Sequence, residues 1–205
     1  MADAAAEPQD RDLLQLMVAG DRDAFATLYR RYRDVVFRFA LRMSCSDIIA
    51  QDVTQDVFLA FMRHAGRYDP RQGLVSTYLY GMARHMTRRR LRRERRFVRL
   101  DPETQIESES RDPIGMVSGL DDVVRQEEIE QVRRAVGALP LRYREVIVLC
   151  DLHDHSYAEA AAIIGCAVGT VRSRLNRGRV LLQDKLERLN RQTWCAPKRS
   201  PGYST

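Results

Sequence analysis

The sequence predicts an all-α fold of two small helical domains joined by an acidic linker, and three observations carry that expectation. Apolar residues recur at intervals of three and four rather than two, which is the spacing of helices that bury one face. Charge is segregated: residues 1–100 hold 19 basic and 12 acidic side chains, residues 101–130 hold 2 and 10, and residues 131–205 hold 13 and 6. Pro102, Pro113, Gly115, Gly119 and several serines crowd the acidic stretch and mark it as poorly structured. A length of 205 residues accommodates one domain or two; the alternation of charge decides for two.

In chain order, residues 1–12 are expected to be disordered and residues 13–98 to form the first domain. Within it Asp23 is positioned to cap a helix whose stripe is Phe25, Leu28, Tyr29, Tyr32, Val36, Phe39, Ala40 and Met43. Ser46 or Asp47 can cap the next, with Ile49, Val53, Val57, Phe58 and Phe61 inward and Asp52, Gln55 and Asp56 outward. The turn residues Gly66, Asp69, Pro70 and Gly73 make a loop of His64 to Gly73, and a third helix follows from about Ser76. Residues 99–126 form the acidic linker, residues 127–192 a second helical domain broken at Pro140, near Asp154 and at Gly165, and residues 193–205 a disordered tail.

Composition narrows the partners. Formal charge is +6, and of 34 basic side chains all but Lys185 and Lys198 are arginine, the residue suited to planar, bidentate contact with phosphates and guanine edges. The four cysteines, Cys45, Cys150, Cys166 and Cys195, form no CxxC pair, so neither a zinc ribbon nor a disulfide framework is signalled and a reducing cytoplasm fits best. No apolar run approaches the roughly 20 residues of a membrane span. The acidic start, Met1-Ala2-Asp3-Ala4, is unlike a signal peptide, so the expected location is cytoplasmic with no membrane insertion.

Two motifs carry the chemistry. Arg84 to Arg99 holds nine arginines in sixteen residues, with Tyr78 and Tyr80 just upstream. Arginines neutralise phosphates and release counterions, and aromatic faces stack on unpaired bases for roughly 1–3 kcal/mol each. Tyr78, Tyr80, Arg84, Arg88, Arg89, Arg92 and Arg93 are therefore the candidate contacts to melted DNA, against the alternative of a merely solvated basic helix. The second motif runs from Ser156 to Arg179 and has the parts of a helix-turn-helix: a Ser cap, a short alanine-rich helix, Gly165 at the turn and a second helix. On the helical wheel Val171, Leu175 and Leu182 fall together with Val168 nearby. Thr170, Ser173, Asn176 and Arg177 take the other side, where they can read base edges in a major groove. Arg172, Arg174 and Arg179 lie at the margins, placed for phosphates.

With both motifs in one chain, residues 20–190 resemble the extracytoplasmic-function sigma factors of bacterial RNA polymerase. The matching phrases are Asp52-Val53-Thr54-Gln55-Asp56-Val57-Phe58-Leu59, Tyr78-Leu79-Tyr80-Gly81-Met82-Ala83-Arg84, Leu139-Pro140-Leu141-Arg142-Tyr143-Arg144-Glu145-Val146 and Val168-Gly169-Thr170-Val171-Arg172-Ser173-Arg174-Leu175. The resemblance implies that the first domain is the family's region 2, which binds the clamp helices of the beta-prime subunit of core RNA polymerase and the melted minus-ten element. The second domain would be region 4, which reads the minus-thirty-five element of duplex promoter DNA and touches the beta flap. Asp52, Gln55 and Asp56 match the positions that face the polymerase clamp. An anti-sigma protein that occludes the polymerase-binding faces, and a place in a stress response, are implied in the same way. Met62 and Tyr78 stand where many relatives have tryptophan, and His85 and Arg89 where asparagine and aspartate are common, so the family's minus-ten preference does not transfer unchanged.

The expected action is promoter recognition, DNA melting and transcription initiation: binding the open form better than the duplex shifts the strand equilibrium, with no catalytic residue and no cofactor. One rival is a helix-turn-helix repressor or activator binding duplex DNA without polymerase, commonly as a symmetric dimer. Another is a metal-dependent nuclease, which needs a pocket of carboxylates or histidines. Cys150, His153, His155 and Cys166 have ligand-type side chains, but Cys-x2-His-x-His-x10-Cys matches no metal spacing, so packing and surface roles are expected.

Overall fold

The computed structural model describes residues 9–68, 73–100 and 120–194, and among them the chain forms eight α-helices and no strand. The disorder expected for residues 1–8, for 101–119 of the linker and for 195–205 lies outside the described residues, as do 69–72 of the loop that precedes the basic helix.

The first unit comprises α1 (Asp10–Val18), α2 (Arg22–Ser44), α3 (Asp47–His64) and α4 (Val75–Leu100), with a 3-10 turn, Ala65–Arg67, after α3. Helix α1 takes up residues 10–12 of the span expected to be disordered. It is held because Asp10 accepts from the Arg31 guanidinium and the Tyr32 hydroxyl of α2, while Leu13, Leu14 and Met17 are buried against the rest. The cap of α2 is Asp21 rather than Asp23: its carboxylate accepts from the backbone N–H of Asp23 at 2.8 Å and of Ala24 at 3.1 Å. Asp23 already lies inside the first turn, where its charge favours the positive helix end. Ser46 caps α3 by accepting from the N–H of Ile49. Leu28, Val36, Phe39, Ala40 and Met43 of α2 and Ile49, Val53, Val57, Phe58 and Phe61 of α3 are buried as their periodicity predicts.

The second unit comprises α5 (Leu120–Gly137), α6 (Leu141–Asp151), α7 (Tyr157–Ile164) and α8 (Val168–Trp194). Its breaks fall at Pro140, at Asp154, whose φ is 55°, and at Gly165, whose φ is 73°. A left-handed φ closes α7 abruptly and is cheapest for glycine, so Gly165 sets the angle between α7 and α8. Ser156 and Glu159 form a reciprocal capping box at the start of α7. Helix α5 begins at Leu120, inside the stretch expected to be linker.

The two units are not separate bodies on a tether. Helix α4 packs on α7, and α2 packs on α5 and α6. Buried residues from Leu13 through Leu175 form one continuous apolar cluster spanning both units.

Candidate nucleic-acid interface

Helix α4 presents two different faces. Val75, Leu79, Tyr80, Ala83 and Thr87 are buried, whereas Arg89, Arg92 and Arg93 are exposed. Arg84, His85, Arg88, Arg89, Arg92 and Arg93 line an open cleft of about 540 Å³. Like charges cluster this densely where a polyanion supplies the counter-charge. Two of the arginines are already paired within the chain, although Nε of Arg84 is buried without a partner. Arg88 donates to Oε1 of Glu145 on α6 at 2.8 Å, and Arg84 donates to Oε2 of the same carboxylate at 3.3 Å.

The two tyrosines singled out for base stacking part ways. Tyr78 is half-buried, its ring 5.4 Å from Tyr68 and 6.2 Å from Phe61. Tyr80 is only 4% exposed and sits between the units, not on an exposed face. Its ring meets Phe39, His153 and His155 edge-on at 5.2, 5.5 and 4.4 Å. The physical reason is register: Tyr80 follows Leu79 on the inward side of α4, and the α6–α7 loop covers it.

Burial pushes the Tyr80 hydroxyl up to about 12, so it is neutral, and it shares a hydrogen bond with Nδ1 of His153 at 2.8 Å. Desolvation first, then Arg42, His155 and Arg38, push His153 down to about 3. A histidine whose folded value lies below its free value of about 6.5 binds protons more readily when unfolded. Its contribution is therefore intact above about pH 6.5 and is lost as pH falls toward 3. Wild type should lose about 1 kcal/mol more than His153→Gln between pH 6.5 and 5.5, read from urea midpoints at the two pH values. Parallel losses in the two proteins would contradict this.

On α3, Asp52 and Asp56 are half-exposed and Gln55 is exposed. Arg90 of α4 bridges the two acids, at 2.6 Å to Asp52 and 3.0 Å to Asp56. Ile48, Leu59 and Met62 are exposed along the same helix. Acidic groups bordered by unburied apolar ones suit a protein partner better than a nucleic acid.

Helix α8 buries Val171 and Leu175; Val168, expected near that side, is exposed. Arg172, Ser173, Asn176 and Arg177 are exposed, and Thr170 and Arg174 half-exposed. The Ser173 hydroxyl donates to the Thr170 carbonyl at 3.1 Å, while the side chains of Arg172, Asn176 and Arg177 take part in none of the hydrogen bonds among the described residues. Arg179, expected at phosphates, is instead held by Asp151 at 2.6 and 3.1 Å. The face that projects from the helix-turn-helix is thus polar, cationic and uncommitted.

Sequence reasoning passed over Glu145, Arg90 and His153 as site residues. Glu145 carried one available signal, a carboxylate at the head of the apolar run Val146-Ile147-Val148-Leu149, which cannot stay charged and buried without cationic partners. Among the described residues Cys45, Cys150 and Cys166 form no disulfide, and no group of three His, Cys, Asp or Glu side chains is arranged to hold a metal. No described helix is long and apolar enough to cross a membrane.

Comparison with known proteins matches residues 28–97 to Sigma-70 region 2 and residues 129–182 to Sigma-70, region 4. The ECF RNA polymerase sigma factor SigM of Mycobacterium tuberculosis is 34% identical over 186 residues, covering 90% of this chain and 88% of its own length. SigW of Bacillus subtilis, another ECF RNA polymerase sigma factor, is 31% identical over 178 residues, covering 83% and 92%. Among solved structures, the sigma factor RpoE in complex with the anti-sigma factor NepR from Bartonella quintana superposes with a TM-score of 0.66 at 26% identity, over 80% of this chain and 96% of that one. CnrH in complex with the cytosolic domain of CnrY has the same fold, with a TM-score of 0.64 over 87% and 97%.

Proposed function

The chain belongs to the extracytoplasmic-function sigma factors of RNA polymerase, and from that premise we propose how its residues divide the work of promoter recognition, DNA melting and transcription initiation. Asp52, Gln55 and Asp56 dock on the clamp helices of core polymerase. Thr170, Arg172, Ser173, Arg174, Asn176 and Arg177 lie in the major groove of the upstream element, with Asn176 and Arg177 at base edges and Arg172 and Arg174 at phosphates. Arg84, Arg88, Arg89, Arg92 and Arg93, with Tyr78, hold the melted downstream element. Tyr80 joins them only after the α6–α7 loop has moved away.

The observation that carries this division is that one chain presents an acidic, apolar-bordered face on α3 and an uncommitted cationic face on α8. A regulator acting on duplex DNA alone has use for the second and none for the first. The protein does no chemistry of its own: it contributes binding free energy that is larger for open than for closed DNA. It works in the cytoplasm, where polymerase is, and an anti-sigma protein covering the α3 face is a fitting antagonist.

The test is run-off transcription by core polymerase on genomic fragments, with and without the protein. New start sites sharing a pair of upstream motifs are expected. No new starts, together with tight duplex binding by the protein alone, would overturn the proposal in favour of a polymerase-independent regulator.

A further inference from the structure

Glu145 is fully buried, yet both of its partners belong to the other unit. A carboxylate seated between Arg84 and Arg88 offers two anionic oxygens to two guanidinium groups, as a DNA phosphate does. The contact around it is broad. Arg42 donates to the carbonyl of Leu152, and Arg144 donates to the carbonyl of Met43 at 2.6 Å. Tyr80 is enclosed by Phe39, His153 and His155, and the thiol of Cys45 lies against Gly137.

From this juxtaposition we propose that the contact between the units is a latch on the basic helix: in the free protein Glu145 occupies Arg84 and Arg88 as an internal phosphate surrogate, and the helix engages single-stranded DNA fully only when α6 swings away. The inference rests on the assignment of α4 to melted DNA made above. Of the seven residues assigned there, the closed arrangement uses Tyr80, Arg84 and Arg88 and leaves Arg89, Arg92 and Arg93 facing the cleft.

The physics makes the latch two-state. With the units together, Glu145 cannot lose its arginines without becoming an unpaired buried charge; with the units apart, all three groups are wetted. An intermediate with half the pair broken is the worst of the options. The surrogate is tethered, so it competes at a high effective concentration that a dilute oligonucleotide must overcome. By linkage, DNA that holds Arg84 and Arg88 favours the open form to the same degree that opening favours DNA.

Two substitutions loosen the latch by unrelated routes. Glu145→Gln keeps the shape and removes the charge. Gly137→Ala adds a Cβ that would fall 2.7 Å from Sγ of Cys45 across the contact, and the φ of Gly137 is not in the left-handed region, so the wedge acts between the units and not on the helix that carries it. Glu94→Gln makes the same change of charge on α4 itself at an exposed residue and serves as the control for charge alone.

The experiment uses the full chain without polymerase. Binding of a fluorescently labelled single-stranded oligonucleotide is followed by anisotropy, and the radius of gyration by small-angle X-ray scattering. Glu145→Gln and Gly137→Ala are expected to bind at least about tenfold more tightly than wild type and to be more extended, while Glu94→Gln gains less than about threefold and stays compact. Compact variants with wild-type affinity would overturn the latch and leave the assignment of α4 to be judged by run-off transcription. Extended variants with unchanged affinity would overturn the regulatory claim by showing that what Glu145 covers is not a DNA site. An equal gain from Glu94→Gln would reduce the effect to bulk charge and overturn it as well.

Discussion

Replacing Asp52 and Asp56 together with asparagine is expected to weaken binding to core polymerase by at least about 30-fold, with run-off transcription falling in step, while binding of duplex DNA by α8 stays as it is. Truncating a charge that is paired across a protein interface costs about 2–5 kcal/mol, and the lower end of that range already corresponds to about 30-fold. The fold should tolerate the change. Both carboxylates are nearly half exposed and share one guanidinium, that of Arg90; ion pairs at such sites contribute about 1 kcal/mol or less, and an asparagine oxygen still accepts from it. Arg90 also makes the experiment discriminating. It already holds both carboxylates, so a cationic group of any partner docking there must displace or share it, and Arg90→Ala should leave docking unchanged or tighten it. Wild-type transcription from the double asparagine variant would remove α3 from the polymerase interface.

Phe39→Ala is expected to destabilise the protein by about 3–5 kcal/mol, measured from urea unfolding at pH 7.5. The ring is fully buried in the C-terminal part of α2 and meets Tyr80 at 5.2 Å and His153 at 5.9 Å. Close-packed helices on both sides prevent the site from collapsing, so the lost apolar contact is compounded by a cavity. The loss is a large share of the 5–15 kcal/mol that holds a typical domain. Phe39 also touches both units, so the variant should weaken their contact together with the first unit's own core. A loss below about 1 kcal/mol would mean that Phe39 does not sit at this junction.

Much of the architecture was legible in the residues because it depends on local rules. The apolar periods of α2 and α3 placed their buried faces, and Pro140 and Gly165 marked breaks that backbone geometry imposes on any chain. The helix-turn-helix face of α8 followed from a wheel, with Val171 and Leu175 inward and Asn176 and Arg177 outward, since one helix packed on one core has only one way to turn. Local rules were weaker at termini. Asp21 and Asp23 are equally good capping types, and only the path of the chain before Arg22 chose between them. Helix α1 is nine residues long, too short to persist alone, and exists because Asp10 finds Arg31 and Tyr32 on α2.

Composition, charge pattern and motif order thus determined by themselves that this is an all-helical, DNA-directed protein of two units with a basic helix and a helix-turn-helix, because helix periodicity, turn chemistry and net charge are properties of neighbouring residues. Only the tertiary structure decided that the units lie against each other, with Glu145 between Arg84 and Arg88, Tyr80 under His153, Arg90 across Asp52 and Asp56, and Arg179 on Asp151. Each of those pairings except Arg179 with Asp151 joins residues more than 30 positions apart. Whether an arginine faces solvent, a phosphate or a carboxylate depends on what the fold brings to it, and the same side chain serves all three.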